Sequence, residues 1–459
     1  MSGSTSGGRP TPGVARPYAF PAVESQRFAN GLEALVVPLR RLPLATVLLM
    51  SDAGAECDAV AAAGTAQLTT EALAEGTRSR DAVALAGTFE QLGGSLDTGV
   101  AWTHATCSTT VLATRLPGAL QLLAEVLREP SFPEGEVDRL REEQLAALLQ
   151  QRAEPRGLAD DMFARFCFVA ASRYAVGEAG DEAGVAPLTR REVVAHHARY
   201  VVPARSRVIV VGDVEVAQVM QLAEETLGAW RRDGEVAPAI DVGAATAGRG
   251  LHLVAKDDAP QTELRIGHPS VPRAHRDFHA LTVMNAILGG LFNSRINLNL
   301  REVHAYTYGA FSQFDWRRYA SLFEVSTAVR SDVTGAAVTE IMGEIARMRD
   351  ERVSDAELSL AVDYLTGVFP IRFETSAAIA GALATRAGFA LPANYFDEYR
   401  ARIAAVTADD VLRVAQLHLD PARLQVVAVG DPLQVRGQLE SLALGEVRSY
   451  DATGARLEG

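Results

Sequence analysis

The sequence predicts an α+β chain of two homologous domains, each a mostly antiparallel sheet covered by helices. Three observations carry this. The segment Leu188–Asp213 (LTRREVVAHHARYVVPARSRVIVVGD) returns at Val406–Asp431 (VTADDVLRVAQLHLDPARLQVVAVGD) with a constant offset of 218 residues, aligning Thr189 with Thr407, Pro203 with Pro421 and Gly212 with Gly430. A period that long marks a duplicated domain, because solenoid units recur every roughly 20–50 residues. Both halves also mix early strands with later long helices and a closing strand, the pattern of α+β domains with helices on one sheet face.

The elements follow in chain order. Residues 1–17 are rich in Ser, Gly and Pro without an apolar core, so they read as a disordered tail and not a signal peptide. Leu32–Pro38 and Thr46–Ser51 are apolar, β-branched runs that predict strands. Leu96-Asp-Thr-Gly99 predicts a turn at a strand end. Apolar residues at three- and four-residue spacing predict helices over Pro117–Arg128, Glu134–Gln151 and Val333–Arg349. Phe132-Pro-Glu-Gly-Glu136 opens one helix, and Val353-Ser-Asp-Ala-Glu357 opens its counterpart. The Asp-Gly, Ala-Pro and Gly-rich stretch 231–250 reads as the linker between a first domain over 18–230 and a second over 251–450, with 451–459 as a tail.

Composition narrows the function. The 459 residues are 48% hydrophobic and 22% charged, an ordinary globular balance. A net charge of −13 argues against nucleic acid as a partner, which needs clustered Lys and Arg. No apolar run reaches the roughly 18 residues of a bilayer span, so no membrane partner is expected. Cys57, Cys107 and Cys167 are widely spaced, which fits buried thiols in a reducing, cytoplasmic setting. Leu96-Asp-Thr-Gly99 contains the aspartic-protease triplet, but that chemistry needs a second one and none is present. No Gly-x-Ser-x-Gly elbow or phosphate-binding glycine loop occurs. The His275/His279 and His196/His197 pairs read as surface or core histidines.

Gly64–Thr77 (GTAQLTTEALAEGT) has the framing residues of an inverted H-x-x-E-H zinc helix, with Gln67, Leu68, Thr69, Thr70 and Glu71 at the five chemical positions. Together with Asp52-Ala-Gly-Ala-Glu56, Leu92-Gly-Gly-Ser95, Ile209-Val-Val-Gly-Asp213, Leu288–Arg295 and Leu300-Arg-Glu302, this resembles the pitrilysin and mitochondrial-processing-peptidase family of zinc peptidases, from about Phe20 to Tyr450. The resemblance implies paired α+β domains that close around an extended peptide. It places the two zinc histidines on Gln67 and Glu71, the general base on Thr70, and the third ligand on or near Ala147. Zinc takes three protein ligands plus an open position. One carboxylate in three positions implies no metal bound by this chain. Glu71, Glu142 and Glu143 read as solvated charges.

The family's arginine–tyrosine pair, seven residues apart after a Gly-rich stretch, matches Arg301 and Tyr308. In the family that pair acts in trans, holding the substrate carbonyl and its oxyanion at a neighbouring chain's zinc. Tyr306 and Tyr308 are expected on one strand face, and Phe369-Pro-Ile-Arg-Phe-Glu-Thr375 as structural. The resemblance thus implies a subunit inactive alone, paired with a zinc-bearing homologous sister chain in a two-chain endopeptidase. The alternative is a non-enzymatic scaffold or assembly protein of the same fold.

Overall fold

The computed structural model describes residues 17–245 and 248–457, so the expected tail over 1–17 lies almost wholly outside the described residues. Twelve strands form two six-stranded sheets. In the first half the strands are β1 (Glu24–Arg27), β2 (Glu33–Pro38), β3 (Leu44–Ser51), β4 (Asp97–Val100), β5 (Ala105–Leu112) and β6 (Ser206–Gly212). In the second they are β7 (Gly250–Ala255), β8 (Gln261–Ser270), β9 (Ala310–Asp315), β10 (Ser321–Arg330), β11 (Gln425–Gly430) and β12 (Val447–Tyr450).

The sheet orders β1-β2-β6-β3-β5-β4 and β12-β7-β11-β8-β10-β9 superpose strand for strand. The closing strand of each repeat, β6 or β11, sits in the middle. It runs parallel to the first core strand (Leu35 opposite Ile209, Leu253 opposite Ala428) and antiparallel to the next (Leu48 opposite Ile209, Leu264 opposite Ala428). This explains the apolar Val-Gly-Asp strands: a central strand is buried on both faces and cannot alternate with polar residues. Only the outer edge differs, filled by the N-terminal β1 in one half and the C-terminal β12 in the other.

The predicted helices form as Leu116–Arg128, Glu134–Ala153 and Thr334–Asp350. The counterpart helix Asp355–Val368 opens with a capping box in which Ser354 and Glu357 satisfy each other's backbone N–H groups. Leu96-Asp-Thr-Gly99 departs from expectation. Asp97–Val100 is the short edge strand β4, because Asp97, Thr98 and Gly99 pair with Ser108, Cys107 and Thr106 of β5. Residues 451–457 turn back on the sheet, with Arg456 bridging Tyr450 and Arg165 donating to the Thr453 carbonyl at 2.8 Å.

Each sheet has helices of its own half on one face, and the other half closes the second face. Helix Pro155–Cys167 of the first half lies across β8 and β11, and helix Ser376–Gly388 of the second lies across β3 and β6. Phe163 therefore packs with Leu322, Val427 and Val429, while Leu35, Val37, Leu48 and Ile209 share a core with Ile379 and Leu383. Gly267 is where Phe163 crosses: a Cβ there would stand 1.8 Å from the Phe323 carbonyl oxygen and 2.9 Å from the Phe163 ring. Each such side chain fully buried is worth about 1.5–3 kcal/mol, so the exchanged helices tie the halves into one core. Asp160 reaching Arg265 at 2.6 Å and Thr46 meeting Ser376 at 2.7 Å add polar links across it.

Candidate functional site

The zinc-motif helix is Thr65–Glu71, positioned by a buried cap. Asp58 accepts from the backbone N–H of Gly64 and of Ala66, both at 2.9 Å, with Arg173 at 3.4 Å and His196 at 3.7 Å behind it. Burial outweighs Arg173 and the two backbone donors and pushes the Asp58 carboxyl up to about 6. Gly64 is required at the entry: its φ is +103°, and a Cβ would stand 2.6 Å from Val185 and 2.7 Å from the Ala179 carbonyl.

On the helix, the Gln67 amide donates to the Glu71 carboxylate, and the Thr70 hydroxyl donates to the Ala66 carbonyl at 2.7 Å. Burial raises the Glu71 carboxyl above its usual range; Gln67 opposes this and Glu143 adds to it. Ala147 lies exposed on helix Glu134–Ala153 and offers no ligand atom. Glu143 is held by Arg139 at 2.8 Å, which also binds Glu136 at 2.6 Å and Glu75 at 2.7 Å, while Glu142 pairs with Arg141 at 2.9 Å. Glu142 and Glu143 are exposed surface charges paired with arginines, and Glu71 is half-buried and accepts from Gln67. The amide, hydroxyl and methyl groups at Gln67, Thr70 and Ala147 do not make a zinc ligand set, because zinc takes thiolate, imidazole or carboxylate donors and a methyl group has no lone pair. Beside this helix runs β4, an edge of the first sheet.

Arg301 and Tyr308 are arranged differently. The chain between them is not a strand. Arg301 sits in a π-helical turn, Leu298–Val303, and Tyr308 precedes β9 in an irregular segment in which Ala305 takes φ +53°. Tyr306 and Tyr308 accordingly diverge: Tyr306 packs on the core and stacks with His304, while Tyr308 is 93% exposed.

The backbone here is firmly held. Asn297, buried, donates to the Phe292 carbonyl at 2.7 Å and accepts from the Ala310 N–H at 3.0 Å. The Tyr306 N–H reaches the Leu300 carbonyl at 2.9 Å, and Arg295 is clamped by both oxygens of Glu357. The side chains, by contrast, are lightly held. Among the described residues Arg301 meets Glu302 at 3.5 Å and the face of Phe292 at 4.6 Å. Among the described residues the Tyr308 hydroxyl has no hydrogen-bond partner. In the same stretch of chain Phe292, Val303 and Phe311 are 59%, 73% and 50% exposed, so the segment that carries the cation and the phenol also shows apolar side chains to solvent.

Sequence reasoning missed Asp58, Arg173 and Asn297, which position these segments. Each lies outside the quoted motifs, and only Asp58 had a signal, an acidic residue just ahead of a Gly-initiated helix. It also missed the seam. There Glu56 accepts from the Tyr174 hydroxyl at 2.6 Å and meets Arg318 of the second half at 3.2 Å, while Arg317 stacks 4.3 Å from Trp102. A cleft of about 430 Å³ opens on this seam, lined by Asp160, Asp161, Glu178, Asp315 and Glu324 around Arg317. The three cysteines are buried and free.

Residues 40–166 match the family model described as insulinase (peptidase family M16), and residues 187–365 match that of the peptidase M16 inactive domain. An uncharacterized zinc protease of Mycobacterium bovis is 26% identical over 374 residues, covering 79% of this chain and 83% of the relative. A probable mitochondrial-processing peptidase subunit beta of Arabidopsis thaliana is 24% identical over 422 residues, covering 88% and 77%. A crystal structure of a peptidase M16 inactive domain from Pseudomonas fluorescens superposes with a TM-score of 0.82 at 25% identity, covering 89% of this chain and 98% of that one. No helix among the described residues is long and apolar enough to cross a membrane. The chain belongs to the M16 (pitrilysin) family of zinc peptidases.

Proposed function

We propose that this chain is the metal-free member of a two-chain zinc endopeptidase, binding an extended peptide and lending Arg301 and Tyr308 to a sister subunit that carries the zinc. The observation that carries the reading is the contrast in commitment. On the zinc-motif helix Gln67 and Thr70 spend their hydrogens internally, whereas Arg301 and Tyr308 stand on a fixed backbone with no side-chain hydrogen bond among the described residues. A half-exposed guanidinium held only by Glu302 and the Phe292 face, with an exposed phenol in the same apolar-rich segment, suits a surface that a second protein completes. Arginine offers fixed donors with permanent charge, and tyrosine a positioned hydroxyl, the groups that stabilise an oxyanion. The edge strand β4 beside the degenerate helix supports peptide binding by strand addition. The relatives named as a zinc protease and a mitochondrial-processing peptidase subunit beta support the reaction class and a heteromeric arrangement.

The test is reconstitution with a homologous chain that bears an intact H-x-x-E-H helix. The pair is expected to cleave peptides when neither chain does so alone, with kcat lost in Arg301→Ala and Tyr308→Phe. A pair that assembles and cleaves equally well with both variants overturns the role and leaves a scaffold of the same fold.

A further inference from the structure

We propose a metal site in the C-terminal half, separate from the zinc-motif helix and from the catalytic zinc assigned to the sister subunit, formed by His275, Asp277 and His418 and suited to a zinc-class divalent ion. His275 and Asp277 lie in the turn between β8 and helix Phe278–Asn285, and His418 ends helix Ala408–His418. Among the described residues these are the only three His, Cys, Asp or Glu side chains whose ligand atoms all lie within 4.8 Å of one another.

The geometry is close to what an ion needs. Asp277 Oδ2 stands 2.8 Å from His418 Nε2 and 3.9 Å from His275 Nδ1. Metal–ligand bonds of about 2.0–2.2 Å in a tetrahedron set donors about 3.3 Å apart. One separation must open and the other close by about half an ångström each. Asp277 and His418 are buried, with side chains 6% and 8% exposed, while His275 is 28% exposed and leaves the fourth position facing solvent.

The surroundings are those of a ligand carboxylate. Arg413 donates to Asp277 Oδ1 at 3.0 Å, which turns Oδ2 toward the two imidazoles, as outer-sphere partners do. Opposing the ion are the positive charges of Arg413 and Arg276, and the Asp277 N–H that donates to His275 Nδ1 at 3.2 Å. Asp410, 3.8 Å from Arg413, draws part of that charge away. Two imidazoles and one carboxylate select zinc, nickel, copper or iron over magnesium or calcium. The ion would fasten the 271–277 turn to helix Ala408–His418. That turn already reaches the seam, where the Arg273 N–H donates to the Arg317 carbonyl at 2.9 Å.

The test uses tag-free full-length protein stripped with EDTA and titrated with Zn²⁺ at pH 7.5, with Co²⁺ as a spectroscopic probe. The expected result is one ion per chain and a visible Co²⁺ ligand-field band. Affinity should fall by at least about tenfold in His275→Gln and in His418→Gln. His275→Gln leaves the Asp277–Arg413–His418 contacts intact, so an unchanged metal-free melting curve shows that the variant still folds. Glu71→Ala should bind as the parent does. No binding by the parent, or binding by both histidine variants as tight as the parent's, overturns the site and leaves an ion-free Asp–His–Arg cluster. An ion kept by the histidine variants but lost in Glu71→Ala would instead place metal on the zinc-motif helix. That outcome also refutes the reading that the zinc-motif helix holds no catalytic metal, so the two failures are distinguishable.

Discussion

The zinc-motif helix of the first half and the Arg301–Tyr308 segment of the second are opposites in how they treat polar groups. Gln67 bonds Glu71 and Thr70 bonds its own helix, so these two side chains of the first site are engaged internally. In the second, Asn297 and the Tyr306 N–H bond the backbone and Arg295 bonds the Glu357 carboxylate, while among the described residues neither Arg301 nor Tyr308 makes a side-chain hydrogen bond. Both segments are rigid, but only one presents unspent chemistry. Unsatisfied donors on a fixed frame are poised for a ligand or partner, whereas satisfied donors are structural.

That contrast can be broken at four points. The largest expected effect is at the cap. Asp58→Ala removes two helix-initiating acceptors and strands buried Arg173, at a cost of about 3–5 kcal/mol. Chemical denaturation should show this as a loss of global stability, and a change under about 1 kcal/mol would mean that the cap does not hold the first site. Next comes Tyr308→Phe, expected to lower kcat of the reconstituted pair by about 10²–10³. Being 93% exposed, the phenol should leave the melting temperature of the isolated chain within error.

Smaller is Asn297→Ala, which leaves the buried Ala310 N–H and the Phe292 carbonyl without their partner, a loss of about 1–3 kcal/mol. Because it loosens the frame under Arg301 and Tyr308, activity of the pair should fall along with stability. A stability loss with full activity would show that the two side chains need no fixed frame.

The smallest effect concerns the seam joining the two regions. Burial, opposed by Arg265, lifts the Glu324 carboxyl from 4.5 to about 7. The folded state thus prefers the protonated form: stability is fully present below about 4.5 and falls as pH rises through about 7. Glu324→Gln mimics the protonated acid. It should raise the melting temperature at pH 8 and change it little at pH 4; an equal shift at both would remove the titration as the cause.

Much of the fold was legible because duplication and periodicity are local signals. The repeated Pro-Ala-Arg and Val-Gly-Asp runs marked β6 and β11, and three-to-four spacing marked the helices. The misreadings share a cause. Asp97–Val100 looks like a turn because Asp and Gly favour turns, yet pairing with β5 overrides propensity at an edge. Tyr306 and Tyr308 alternate like a strand, but the hydrogen bond from Tyr306 to Leu300 ends the π-helical turn there and prevents it. His275 offered no metal signal, since His418 lies 143 positions away in the chain.

What the sequence determined by itself was chemistry by omission and retention: no histidine in the zinc motif, an arginine and a tyrosine kept at the right interval, and two copies of one domain. What only tertiary structure decided was commitment. Which polar groups are spent, which are exposed, and which distant residues meet depend on helices exchanged between the halves and on contacts between residues more than a hundred positions apart. Hydrogen-bond satisfaction is a property of neighbours in space, and local sequence patterns specify only neighbours along the chain.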